Sequence, residues 1–313
     1  MEKETHKVVR DIDAKDLAPI VLFVYNRPEH TRRTIETLQN NELANESKLF
    51  IYSDAAKNAE DESRVKEVRE YIRSIDGFAG VNIIEREKNW GLAASIIDGI
   101  TSIVKQFGRI IVLEDDLVTS PFFLRFMNDG LRYYENVPGV MHISGWDYPI
   151  ETDGPDDVFL WRVMNCWGWG TWADRWKYFE KDTDRLIEGF SKEDINSFNL
   201  DGVEDFWGQV LANREGRINS WAVYWYASIF KANGLCLNPV QSFVKNIGHD
   251  GSGENCARKE SYDEFPNLSS KQNIKFPGDI YESTVYVERV KKYLRKHILT
   301  KIKEKVISVL YQK

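Results

Sequence analysis

The apolar residues of this chain fall first into short unbroken runs, each followed by a helical periodicity. Ala18–Tyr25 (APIVLFVY), Lys48–Tyr52, Val81–Glu85 and Arg109–Asp116 (RIIVLEDD) read as strands. The first and last are apolar with little alternation, as strands covered on both faces are. Between them lie predicted helices from Pro28 to about Asn41, from about Glu60 to Ser74 and from about Leu92 to Gln106. Pro28 suits a first helical turn, where its missing N–H costs nothing. Four strands alternating with helices through short loops predict βαβ units and an α/β, mixed but mostly parallel sheet flanked by helices.

Beyond Asp116 the pattern continues with an amphipathic helix over Pro121–Asn136 and a strand over Val140–Ser144. From Gly145 the texture becomes aromatic, and nine of the ten tryptophans follow. Cys166–Thr171 (CWGWGT) is expected to be a loop, since its glycines allow close backbone approach, with helix Trp172–Phe179 after it. A helix opens near Gly202–Trp207 and runs to about Asn213; another spans Trp221–Asn233, and Gly234 stops it before a strand from Leu235. Residues 254–280 are polar and expected to be irregular. Val290, Leu294, Ile298, Ile302, Val306 and Leu310 then recur every four residues along a final helix.

These elements suggest a polar lead-in (1–17), a main body (18–253) and a carboxyl-terminal extension (254–313). The body divides into a strand–helix half at about 18–118 and a second half at about 119–253. The apolar and charged fractions, 42% and 29%, are those of a globular protein. A net charge of −7 gives no support to nucleic-acid binding. That charge is uneven: 285–313 holds nine basic and two acidic residues, so it is +7 and the remainder −14. The final helix therefore has two readings, an amphipathic element on an anionic membrane surface or one docking its apolar stripe on the body or a partner. Cys166, Cys236 and Cys256 have neither disulfide nor metal-ligand spacing. With a polar amino terminus unlike a signal peptide, the expected location is cytoplasmic, at the inner membrane face if the last helix binds lipid.

The chemistry is concentrated at strand ends. Glu114, Asp115 and Asp116 follow a buried strand, and carboxylates are almost never buried unpaired. Either a hard divalent cation or a solvated, helix-capping turn accounts for them. Ligands bind outside the carboxyl ends of strands in such sheets, where Asn26, Arg27, Asp54, Asn89 and Gly91 also fall. Neither GxGxxG nor a P-loop occurs. Asp205, preceded by Glu204, is either a first-turn acid favoured by the helix dipole or a general base. The tryptophans are core residues or sugar platforms. His249, among the glycines of Ile247–Gly253, is a loop residue or an imidazole ligand near a diphosphate.

The order of these features resembles the GT-A-fold glycosyltransferases. VLEDDLVTSPFFLRFM is similar to the metal-binding segment of N-acetylglucosaminyltransferase I and its bacterial relatives. CWGWGTW, the EDFW run and NIGHDGSG resemble segments of bacterial surface-polysaccharide transferases. The resemblance covers about Pro19 to Gly253. It implies Mn²⁺ or Mg²⁺ on Asp116, with Glu114 and His249 as further ligands. It also implies a nucleotide-sugar contacted by Asn26, Arg27, Asp54, Asn89, Gly91, Asp115 and Trp169, and catalysis by Asp205 with Glu204. The implied reaction moves a sugar, with inversion, from a nucleotide-diphosphate donor (a UDP-sugar is expected) to a glycan or lipid-linked saccharide. Relatives carry an Asp where this chain has Ala222. The competing readings are a non-catalytic carbohydrate-binding protein on the same fold and a sugar-1-phosphate nucleotidylyltransferase. The latter lacks its glycine-rich basic loop after the first strand.

Overall fold

The computed structural model describes residues 16–251 and 267–311, with side chains of the final helix described as far as 297. The first half is β1 (Ile20–Val24), α1 (Pro28–Gln39), β2 (Lys48–Ser53), α2 (Ala59–Ile72), β3 (Gly80–Glu85), α3 (Leu92–Phe107) and β4 (Arg109–Glu114). Next come β5 (Leu117–Thr119), α4 (Phe123–Tyr133), β6 (Val140–Ser144), β7 (Val158–Trp161) and β8 (Trp169–Trp172). Five helices follow: α5 (Ala173–Trp176), α6 (Thr183–Glu188), α7 (Lys192–Phe198), α8 (Phe206–Arg214) and α9 (Ala222–Lys231). β9 (Leu235–Pro239), β10 (Val244–Asn246) and α10 (Thr284–Tyr311) complete the chain.

Eight strands form one mixed, Rossmann-like sheet in the order β3-β2-β1-β4-β8-β6-β9-β7, and β5 pairs with β10. The pairs β1–β2, β2–β3, β1–β4 and β6–β9 are parallel. The unbroken apolar runs have a direct cause. On β1, Val21 and Phe23 enter one core while Ile20, Leu22 and Val24 enter the other. On β4, Ile110 and Val112 likewise oppose Ile111 and Leu113. Both faces are covered, so no position is left polar. α3 lies on the first face through Ile96, Ile100 and Ile103, each worth roughly 1.5–3 kcal/mol on burial, which outweighs the weak helix preference of Ile. α1, α2 and α4 cover the second through Ile35, Val68 and Met127.

Two expectations differ from the structure. Cys166–Thr171 is not all loop, because Trp169–Trp172 forms β8, antiparallel to both β4 and β6. A Cβ on Gly170 would lie 2.8 Å from the Ile110 carbonyl oxygen, so glycine is what lets these strands and α4 close together. The predicted helix over Trp172–Phe179 shrinks to Ala173–Trp176. β5 and β7 carry too short a pattern to be read in advance. The final helix begins by docking: Tyr286, Val287, Val290 and Leu294 are buried, and Tyr286 stacks on Phe159 at 4.7 Å. Lys291 on this helix bonds Asp201 at 2.6 Å. The membrane reading then concerns side chains 298–313, outside the described residues. Among the described residues no helix is long and apolar enough to cross a membrane.

β6 also carries His142, which is wholly buried. Trp225 Nε1 donates to its Nδ1 at 3.2 Å, so the ring proton sits on Nε2, 3.0 Å from the Asn165 carbonyl. Burial lowers this imidazole from 6.5 to about 3. The unfolded chain takes up a proton near 6.5 and the folded one resists it, so stability is complete above 6.5 and falls as pH drops toward 3. Urea unfolding of wild type at pH 4.5 against pH 7.5 should show about 2–3 kcal/mol more loss than His142→Gln shows. Equal losses in the two proteins would contradict this assignment.

Candidate active site

The carboxyl ends of β1, β2, β3, β4, β6 and β9 share one edge of the sheet, because β8 runs antiparallel between β4 and β6. The acids stand at the centre of that edge. β4 stops at Glu114; Asp115 and Asp116 turn into β5 and are 3% and 5% exposed. α1 holds this turn from outside: Thr34 Oγ1 donates to the Asp115 carbonyl at 2.8 Å and accepts from the Leu117 N–H at 3.1 Å. The backbone of the acids is therefore positioned independently of their charges.

Arg27, between β1 and α1, reaches across to both carboxylates. It forms an ion pair with Asp115 and a second with Asp116 at 3.0 Å. One guanidinium does not balance three acids. Burial, with Asp116 and then Asp115, pushes Glu114 up to about 8 against the pull of Arg27. Burial likewise raises Asp115 despite that pull. The Asp115 Oδ2 is buried and accepts no hydrogen bond.

The β5–β10 ladder carries Ile247–Asp250 over the acids. The Ile247 N–H donates to the Asp116 carbonyl at 2.8 Å. A Cβ on Gly248 would stand 2.3 Å from Asp116 Oδ2 and 3.0 Å from Arg27 Nη1, so only glycine fits against the pair. His249 follows, its ring 5.4 Å from that of Trp167, which packs edge-on to Trp146 at 4.5 Å. His30 on α1 meets Asp250 at 3.2 Å. Wholly buried Asp147, just past β6, is held well above the usual carboxylate range by burial.

Beside the acids, Asp54, Asn89 and Gly91 come together at the ends of β2 and β3. Asp54 Oδ1 accepts from the Ala55 and Trp90 N–H groups at 2.9 Å, and its Oδ2 from Gly91 N–H at 2.9 Å. Asn89 donates to the Ala55 carbonyl at 2.7 Å. Asp54 thus shapes the loop that opens α3, where Gly91 caps the helix with a φ of +73°. Arg86 lies under the Trp90 ring, 3.9 Å from its centroid. Asn26 donates to Asp61 at 2.7 Å, near the start of α2.

Other expected site residues are held by contacts outside the acid cluster. Trp169 is buried in β8, 5.2 Å from the Trp221 ring and stacked on it. Exposed Asp205 caps α8, its Oδ1 accepting from Gly208 N–H at 2.9 Å. The Glu204 N–H donates to the Asn199 carbonyl at 3.0 Å. Sequence reading did not single out Thr34 or Arg86, and it weighed Trp146 and Trp167 only within the run of tryptophans. An Arg just past a strand end signals Arg86; nothing local signals Thr34.

The chemistry of the donor set suits a hard divalent cation: carboxyl oxygens gathered on one turn, one of them buried and without a hydrogen bond. Among the described residues no group of three or more His, Cys, Asp or Glu side chains is placed so that it could by itself hold a metal ion. A cation held here would draw further oxygens from a substrate phosphate and water, as Mg²⁺ usually does.

No family model matches the chain, and no curated protein matches it. Among solved structures it is similar to the mannosyltransferase PcManGT from Pyrobaculum calidifontis in complex with GDP-Man and Mn²⁺. That match has 10% identity, 70% coverage of this chain, 72% of the other and a TM-score of 0.38. It is also similar to S. aureus TarS 1–349, with 8% identity over 72% of this chain and 59% of that chain, TM-score 0.39. The match to TarS 1–349 in complex with UDP has 11% identity over 45% of this chain and 40% of that chain, TM-score 0.30.

Proposed function

We propose that this chain is a glycosyltransferase that takes a sugar from a nucleotide-diphosphate donor with the help of Mn²⁺ or Mg²⁺. The observation that carries the reading is the acid cluster at the carboxyl edge, with three carboxylates against one guanidinium and the buried Asp115 oxygen unsatisfied. Asp116 and Glu114 would hold the cation, with His249 adjoining Gly248 over Asp116 as a further ligand. When bound, it supplies Lewis-acid stabilisation of the charge on the departing nucleotide.

The chain's own residues divide the remaining work. The Asp54–Asn89–Gly91 loop and Asn26 shape the donor pocket beside the acids, with Asp54 acting through the backbone it orders. Asp205 takes the acceptor hydroxyl's proton as it attacks from the opposite face, giving inversion. The acceptor is a glycan or lipid-linked saccharide in surface polysaccharide synthesis.

Thermal melts with UDP-, GDP-, CMP- and dTDP-sugars, each with and without Mn²⁺, test the donor assignment. One nucleotide class should raise the melting temperature by several degrees with Mn²⁺ present, since saturation at 100-fold over Kd stabilises by about 2.7 kcal/mol. If no sugar nucleotide shifts the melt under either condition, the proposal fails.

A further inference from the structure

We propose that Arg27 is the resident counter-ion of the acid cluster, that a divalent cation must displace it from Asp115 and Asp116, and that the freed guanidinium then binds the donor's diphosphate. This inference rests on the reading of the acids as a metal site. Its structural basis is that the charge of Arg27 already occupies the carboxylates that a cation would need. Arg27 already engages both, at 3.0 Å from Asp116, with its side chain only 15% exposed. A cation within bonding distance of the same oxygens would sit against the guanidinium, and two like charges this close repel.

The surroundings permit the exchange. Thr34 fixes the acid turn through its backbone, so departure of Arg27 leaves the carboxylates in place. Pro28 begins α1 immediately after Arg27, which pins the backbone there. The guanidinium therefore moves by rotating about its own side-chain bonds and stays near the cluster. Gly248 rests its backbone on the pair without a side chain of its own, so the cover adds no charged or hydrogen-bonding group that competes for Arg27. A planar fork of donors matches phosphate oxygens two at a time, and a diphosphate bridging the cation brings such oxygens to this edge. Metal and nucleotide would then bind cooperatively, since the first releases the group that receives the second, and the coupling is reciprocal.

Calorimetric titration of Mn²⁺ alone into wild type, Arg27→Gln and Arg27→Lys tests this, followed by inorganic pyrophosphate at saturating Mn²⁺. Arg27→Gln should bind Mn²⁺ about tenfold tighter than wild type or more, and pyrophosphate about tenfold weaker, with Arg27→Lys between them on Mn²⁺. If Arg27→Gln binds Mn²⁺ no tighter than wild type, the displacement is wrong although the metal site stands. If no protein binds Mn²⁺ with or without pyrophosphate, the metal reading fails and this inference with it. Should Arg27→Gln not fold, Arg27→Lys decides alone, and an Mn²⁺ affinity at or below wild type overturns the proposal.

Discussion

Replacing Asp116 with Ala should lower sugar transfer by about a thousandfold or more while the chain remains folded. The estimate follows from several kcal/mol of charge stabilisation, each 1.36 kcal/mol being tenfold in rate. The fold should survive because the Asp116 backbone keeps its bond from Ile247, and Arg27 keeps Asp115 as a partner. Mn²⁺-dependent nucleotide binding should disappear together with transfer. Asp205→Asn gives the contrasting result. Asn caps a helix about as well as Asp, so α8 stays capped and donor binding stays within about twofold. Transfer should nonetheless be abolished, because the amide accepts no proton from the acceptor. Asp116→Ala with transfer within tenfold of wild type would remove the acids from the mechanism.

The second large effect lies in the core. Trp169→Ala should cost about 3–5 kcal/mol of folding stability, the range for truncating a buried Trp. Trp169 is 1% exposed and central to β8. Its ring stacks on Trp221 at 5.2 Å and His142 at 5.0 Å, and lies 6.1 Å from Trp176, so its removal opens a cavity among rigid rings that collapse poorly. Urea unfolding measures the loss directly. A residue serving chiefly as a sugar platform would behave differently, with the melting temperature kept and KM raised. That outcome would return Trp169 to the substrate side.

Local pattern settled much of this protein. The apolar runs at β1 and β4 require cover on both faces, and with helices alternating between the strands a sheet with helices on each side supplies it. The ends of those runs placed Asn26, Arg27, Asp54 and the three acids on one edge before any coordinates, because parallel strands all finish on the same side. The periodicity of Val290 and Leu294 gave the final helix an apolar stripe, though not what covers it.

What remained depends on groups far apart in the chain. Trp169 joins a strand because β4 and β6 offer it hydrogen bonds and Gly170 allows the approach, a preference set by neighbours rather than by the residues themselves. The ion pair between Arg27 and Asp115 spans 88 positions, and the glycine resting on it comes from a third segment. Residue types at strand ends revealed that charge gathers at this edge; only the packing of β1, β4 and β10 decided which carboxylate oxygen is satisfied and which is left open. The cause is range: periodicity registers burial within one element, whereas ion pairing and desolvation are fixed by elements that meet only when the chain folds.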